Sequence, residues 1–351
     1  MTASNVDHAN LDAQAYGGIV SESVMAKIWD VSRIPLVVQD LVGTGTHDNR
    51  RVEFTVDDLG VPATDNAVID GADIDQNDAV LTERQSNFTQ TAVKEIQISH
   101  LAQAGNSFGG AGKMSYQIMQ AQRRLKRDIE AQICTSQASV IGDGTATPGI
   151  SAGLGAWIST NYFNAGTTGD GAAGGFNTTT GVIDAPTADT TPAALTEKLI
   201  RDAVQAVFEA GGGENQDLVL MATPQVIRNL SEFLFTTNAR IATMTSDNNQ
   251  GGTSPMTAYG STNVFIPDFG VLKMVANRLQ PTEATNVSTA YILDPSHIRL
   301  SYMRGPRVEP LAKTGLSEKR LCSADYSLLV MNEKSCAQIA NIDETAAVTA
   351  T

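Results

Sequence analysis

The chain has 351 residues, enough to bury a sizeable core and to form two domains of ordinary size. Its formal net charge of -14 and pI near 4.7 exclude a protein whose business is gripping nucleic-acid backbone, because phosphate binding needs a surplus of Lys and Arg. The opening "MTASNVDHANLDAQAYGG" has no basic start or apolar run, and nowhere do about 20 apolar residues run together, so the expectation is a soluble, unexported chain with no membrane contact.

Residues 1–50 are mostly polar and read as an amino-terminal arm. One amphipathic stretch, "SESVMAKIWDV", places Val24, Ile28 and Val31 at helical spacing, as a segment that docks on something else would. Next, "RRVEFTVDDL" alternates Val52, Phe54 and Val56 with polar residues, the period-2 mark of a half-buried strand, and "FTQTAVKEIQIS" (88–99) is a second β-prone run. Between them, residues 57–83 hold eight carboxylates (Asp57, Asp58, Asp65, Asp70, Asp73, Asp75, Asp78, Glu83) and no Lys or Arg. The two runs are expected to pair as an extended hairpin across this acidic excursion. Within it, "DIDQND" (73–78) resembles the start of a calcium loop, but Asp78 stands where glycine is required and Arg84 at the twelfth position, so a solvated acidic loop is favoured.

The run "GNSFGGAGKMS" (105–115) tests poorly as a phosphate-binding loop. Such a loop reads G-x-x-x-x-G-K-[ST]; here Met114 follows Lys113, Ser107 replaces the first glycine, and no Val/Ile-rich strand feeds it. A flexible linker opening a long helix is expected. From Lys113 to Cys134 there is no Pro or Gly, and Met114, Ile118, Ala121, Leu125 and Ile129 recur at spacings of three and four. That predicts a rod of about 33 Å. Arg123, Arg124, Lys126 and Arg127 cluster on it. They are either a solvated face with local ion pairs or cations that meet carboxylates of a neighbouring subunit.

Residues 128–197 contain no Lys or Arg, and 142–192 are rich in Gly, Thr, Ala and Asn. Such a composition cannot build a core of its own, so a surface insertion is expected, pinned at one point by "GLGAWI" (153–158). The second half alternates helices and strands. "LTEKLIRDAVQAVFEAGG" has an N-cap at Thr196 and an apolar face through Leu199, Ala203, Val204, Val207 and Phe208. "DLVLMAT" reads as a buried strand leading through Thr223 and Pro224 into the helix "QVIRNLSEFLF". Then come β runs: "NVFIP", "GVLKMVANRL", "TAYILD", "HIRLSYM" and "CSADYSLLVMN". The sum is mixed α+β, in two lobes.

A search for chemistry returns little. Cys134, Cys322 and Cys336 are odd in number and irregularly spaced, so plain buried thiols are expected. His8, His47, His100 and His297 form no local ligand pair. The cluster "GISAGLG" around Ser151 lacks the strand and helix that frame a hydrolase nucleophile. Neither a catalytic residue, a metal nor a cofactor is expected, and the chain reads as no enzyme. The other class left open is a hydrolase whose site assembles from distant residues. The positive signal is architectural. Hairpin arms and amphipathic tails carry edges that want a partner, which points to repeated self-association.

Five stretches carry a resemblance over nearly the whole chain: "RRVEFTVDDLGVP" (50–62), "QRRLKRDIEAQI" (122–133), "SAGLGAWI" (151–158), "LIRDAVQAVFEAGG" (199–212) and "EPLAKTGLSEKRLCSADYSLLVMNE" (309–333). In this order they resemble the major capsid proteins of tailed bacteriophages with the Hong Kong 97-like fold. The resemblance implies an amino-terminal arm (1–50), an extended loop (51–100) lying over an adjacent subunit, and a peripheral domain of spine helix plus insertion (101–192). It further implies an axial domain (193–296) and a carboxy-terminal β segment (297–351) that returns to the peripheral domain. "GGAGKM" is then a hinge between loop and spine helix.

The implied function is self-assembly into hexamers and pentamers of an icosahedral shell around double-stranded DNA, with an encapsulin-type nanocompartment as the alternative. The implied setting is the virion, with synthesis in the host bacterial cytoplasm. Implied partners are further copies of the chain, a portal, a separate scaffolding protein, since the amino-terminal segment is too short and too little basic for a fused one, and a cement protein over the insertion. The best-known member of the fold cross-links through an extended-loop lysine, but no lysine stands between Lys27 and Lys94 here, so no covalent chainmail is expected from the hairpin tip. Arg123, Arg124, Lys126 and Arg127, together with Asp57 and Asp58, are the expected assembly contacts.

Overall fold

A computed structural model describes residues 35–57, 64, 67, 69–71, 82–105, 113–212, 217–236, 264–265, 267, 269, 271–313 and 315–346. The amphipathic stretch at 21–31, the "DIDQND" loop and most of the "GGAGKM" hinge lie outside the described residues.

The long helix α3 (Met114–Ile133; two short helices, α1 at Val37–Leu41 and α2 at His100–Ala104, precede it) forms where the spacing predicts it. Met114, Ala121, Leu125, Ile129 and Ile133 are its buried stripe. They pack on a four-stranded sheet ordered β1 (Gly43–Thr46), β12 (Ile298–Pro310), β13 (Ser317–Val330), β4 (Gln90–Ser99). Ile96 and Ile98 of β4, Ile298 and Leu300 of β12, and Cys322, Ala324, Tyr326, Leu328 and Val330 of β13 complete this core. Each fully buried aliphatic side chain contributes about 2 kcal/mol.

A second, six-stranded sheet is ordered β5 (Tyr162–Asn164), β14 (Ala337–Asp343), β11 (Val287–Leu293), β8 (Asp217–Ala222), β10 (Val271–Ala276), β9 (Val264–Phe265). All seven residues of β11 are buried, as for a strand covered on both faces. Helix α5 (Glu197–Val207) lays Ile200, Ala203, Val204 and Val207 on this sheet. Its N-cap is Thr196, whose hydroxyl accepts from Leu199 N. Pro224 opens α6 (Pro224–Thr236) as its first residue.

Three expectations are corrected. First, β2 (Arg51–Val56) pairs antiparallel with β3 (Glu83–Phe88), from Arg51 opposite Phe88 to Val56 opposite Glu83, and not with the run at 88–99. That run becomes β4 and pairs with β13, because its apolar residues Ile96 and Ile98 face α3. Thr89 marks the change of partner, its N–H closing on Arg50 O at 2.8 Å.

Second, the segment 297–351 does not return as one piece to the long helix. β12 and β13 do, but β14 joins the six-stranded sheet between β5 and β11. Its strand edges are therefore satisfied within the chain and do not wait for a partner.

Third, the glycine-rich insertion is held at more than the one expected point, since β5 within it joins the six-stranded sheet beside β14. A small hairpin, β6 (Gly175–Asn177) with β7 (Val182–Asp184), buries Ile183, and Ser139 Oγ accepts from Ile183 N. The "GLGAWI" pin holds as expected: Leu154, Ala156, Trp157 and Ile158, in and just after the one-turn helix α4 (Leu154–Trp157), are buried in the first core.

Candidate assembly surfaces

Helix α3 presents two different faces. Arg123, Arg124 and Lys126 are exposed and Arg127 is half-buried, its Nε enclosed with no partner among the described residues. Asp128 takes Lys94 Nζ of β4 at 2.5 Å. Asp57 is exposed just past β2, and Asp58 lies outside the described residues. The structure thus places the four cations on one helix.

The other face carries a residue that the hydrophobic pattern did not single out. Glu130 is fully buried, and its carboxylate accepts from Val38 N (2.6 Å), Gln39 N (3.1 Å), Gln39 Nε2 (3.2 Å) and Asn277 Nδ2 (3.2 Å). Val38 and Gln39 open α1, so the carboxylate of one helix serves as the cap of another. Burial pushes the Glu130 carboxyl above the usual range, opposed by these hydrogen bonds. The same residue ties in the 277–286 loop of the six-stranded sheet. One glutamate inside a basic run gives no sequence signal of this, since its partners lie about 90 and 147 positions away.

The base of the β2–β3 hairpin is fastened to the body. Asn87, fully buried, donates to Leu328 O (2.6 Å) and Ser151 Oγ (3.1 Å) and accepts from Ala152 N. Residues 149–153 spell glycine-x-serine-x-glycine, yet Ser151 is buried, and its hydroxyl oxygen also accepts from Leu328 N. It is a structural bracket here. His47 bridges Ser301 Oγ and Thr89 Oγ1, each at 2.8 Å, and burial lowers its pKa, with Asp48 and Asp325 acting against that. Arg50 reaches Gly142 O, and Phe54 lies 5.8 Å, centroid to centroid, from Trp157.

At the far end of the four-stranded sheet, two large apolar side chains stand in solvent. Leu101 and Leu316 are each 85% exposed, and His100 N bonds Leu316 O at 3.0 Å. Ion pairs flank them: Lys313 with Glu318 and Lys319 with Glu95. The three thiols are buried and unpaired, and burial raises all three pKa values, that of Cys336 to about 11. Among the described residues no helix is long and apolar enough to cross a membrane.

A two-sheet body, a long helix with a cationic outer face, a β2–β3 hairpin fastened to that body and an apolar sheet end define the architectural class. Solved structures of the same fold make that class concrete. The chain is similar to a structure from Mycobacterium phage Bobi (TM-score 0.58, 11% identity, covering 96% of this chain and 99% of that one). It is likewise similar to the capsid of a native GTA particle (TM-score 0.58, 12% identity, 96% and 100% covered) and to the SrpI encapsulin of Synechococcus elongatus (TM-score 0.54, 10% identity, 97% and 98% covered). At these identities the likeness establishes the fold, the Hong Kong 97-like capsid fold.

The chain belongs to the family described as SU10 major capsid protein, whose model matches residues 4–343. It is a tailed-phage major capsid protein, a structural component of the virion that self-associates into the head shell, and not an enzyme. No curated protein matches it.

Proposed function

We propose that the chain assembles as hexamers and pentamers into an icosahedral head that encloses the double-stranded DNA of a tailed phage. The four-stranded sheet with α3 acts as the peripheral domain, the six-stranded sheet with α5 and α6 as the axial domain, and residues 51–100 as the extended loop that crosses an adjacent subunit. The observation that carries this reading is a segregation of charge. Residues 57–83 hold eight carboxylates and no cation, whereas α3 exposes Arg123, Arg124 and Lys126 beside Arg127. The acidic excursion of one copy, beginning at Asp57 and Asp58, lands on the cationic helix face of the next. Each interface is modest, and closure of the shell sums them.

The acidic surplus leaves packaged DNA free of the wall. A portal, a separate scaffolding protein and a cement protein over the insertion are the remaining partners. Synthesis takes place in the host bacterial cytoplasm, and no isopeptide ladder arises from the hairpin tip.

The test is the full chain carrying Arg124→Glu and Arg127→Glu, with Arg124→Glu alone as the milder variant. Shells should fail to appear by negative-stain microscopy while circular dichroism and melting stay near wild type. Normal shells from both variants would overturn the charge pairing. The encapsulin alternative is decided on wild-type particles: nuclease-protected DNA supports the phage head, and a protein cargo without DNA supports the nanocompartment.

A further inference from the structure

The β2–β3 hairpin joins the four-stranded sheet through two crossings, the linker 47–50 and Thr89, and one side chain ties both to β12. His47 Nδ1 bonds Ser301 Oγ of β12 and Nε2 bonds Thr89 Oγ1, each at 2.8 Å. The hydroxyls decide which nitrogen carries the proton. Thr89 Oγ1 donates its own hydrogen to Asn49 O at 3.5 Å, so it accepts from the ring. Ser301 is 2% exposed, and among the described residues its hydroxyl has no partner other than His47, so its hydrogen goes to the lone pair of Nδ1. A neutral ring protonated at Nε2 satisfies all three groups.

Charging the ring reverses one of these bonds. An imidazolium donates from both nitrogens, so Ser301 must send its hydrogen elsewhere or leave it buried and unpaired. On one side Ser301 faces Gly45 of β1, which has no side chain to receive it. On the other side stands an acceptor. Ser327 of β13 lies directly opposite Ser301 in the ladder, hence on the same face of the sheet; it is fully buried, and its Oγ has no partner among the described residues. Paired hydroxyls on neighbouring strands reach one another once a side chain turns. Ser301 cannot serve both sides from where it stands, because Ser327 Oγ lies beyond hydrogen-bond distance. The orphan hydroxyl is thus the second seat of a two-position switch.

Two carboxylates face the ring: Asp48 on its own linker and Asp325 of β13, the latter held by Thr91 Oγ1 of β4 (2.7 Å) and Arg304 Nε of β12 (3.7 Å). We propose that His47 is an acid-operated latch. Neutral, it locks the hairpin junction to β12; charged, it loses Ser301 to Ser327 and leaves the linker on the main-chain bond from His47 N to Tyr302 O (3.3 Å). Burial lowers the proton affinity of the latched ring below the ordinary 6.5, against the pull of Asp48 and Asp325. The unlatched ring binds protons more readily, so the latch is complete above about pH 6.5 and is released as pH falls through the lowered value. Arg50 and Asn87 still grip the body on the other side, so release frees a pivot and not the whole hairpin.

The test follows the His47 imidazole by NMR in the unassembled full-length chain, its signals assigned by their loss in His47→Gln. At neutral pH the proton should sit on Nε2. Ser301→Ala removes the hydrogen given to Nδ1 and should raise the midpoint of titration, whereas Ser327→Ala removes the second seat and should lower it. The latch itself is read from hydrogen exchange of the Thr89 amide, which closes on Arg50 O, after correction for the intrinsic rate. In the wild type this amide should open roughly tenfold more often at about pH 4.5 than at about pH 7.5. His47→Gln offers Ser301 an acceptor and Thr89 a donor at every pH, so its exchange should not respond. A proton on Nδ1 at neutral pH, midpoints that move the same way in both serine variants, no response in the wild type, or a response that His47→Gln reproduces would overturn the proposal. Because none of these measurements needs assembly, the latch can fail while the capsid reading stands.

Discussion

The two sheets differ in how they end. β11 of the six-stranded sheet is buried along its whole length, and β14 beside it is buried in all but its last residue. β12 of the four-stranded sheet is buried at Ile298, Leu300 and Ser301, then runs exposed from Met303 through Arg307, and its hairpin with β13 extends to the solvent-facing Leu316. At about 3.3 Å per residue its 13 residues reach roughly 43 Å. One sheet closes on its own chain. The other carries half its length away from the core, which a lone folded unit does not require and a shell subunit does. Stability should therefore concentrate in the six-stranded sheet and in the seam between the two, while the outer half of the four-stranded sheet should tolerate change in the isolated chain.

The largest test of that division is Ile292→Ala, which empties a fully buried site in β11. A loss of about 4 kcal/mol in chemical denaturation is expected, against less than about 0.5 kcal/mol for Leu316→Ser. Equal effects would erase the distinction. Next is Gly153→Ala in the seam. A Cβ there would overlap the Thr135 carbonyl oxygen, main chain that cannot swing aside, so a loss of about 2–3 kcal/mol is expected in the same assay.

Glu130 sharpens the comparison through pH. Its folded pKa is raised above the ordinary 4.5, so the folded chain holds a proton that the unfolded chain releases, and stability from this group falls as pH rises from about 4.5 through the raised value. Glu130→Gln removes that dependence. Wild type should lose melting temperature relative to the variant between pH 4 and pH 7, and parallel curves would show that the carboxylate titrates normally. The smallest effect belongs to the exposed pair of Lys94 with Asp128. Lys94→Met should change stability by less than about 0.5 kcal/mol and remove what salt dependence the pair confers.

Hydrophobic spacing made α3, α5 and β11 readable in advance, because their buried faces are apolar and continuous. It failed for β3, "ERQSNF", whose inward residues Ser86 and Asn87 are buried by hydrogen bonds. It failed again for β14, "AQIANID", where Gln338 donates to Gly155 O and Ile158 O and Asn341 holds Tyr162. Polar strands of this kind are specified by distant partners, from Ser151 at 64 positions to Leu328 at 241, which no local window contains. The same limit hid Glu130 and the bond of His47 to Ser301. The basic run on α3, by contrast, was plain in the sequence, and its exposure follows from the stripe that buries Leu125 and Ile129 on the opposite side.

Thr89 joins two ladders end to end, so β3 and β4 are one continuous rod with different neighbours on either side of a single residue. Anything that tugs the hairpin outward must load β13 lengthwise, and β13 is paired with β12 between Arg320 and Val330. The β2–β3 hairpin is in this sense a handle on the innermost strands, and a tilt imposed at Val56 and Glu83 is delivered as torsion beneath α3.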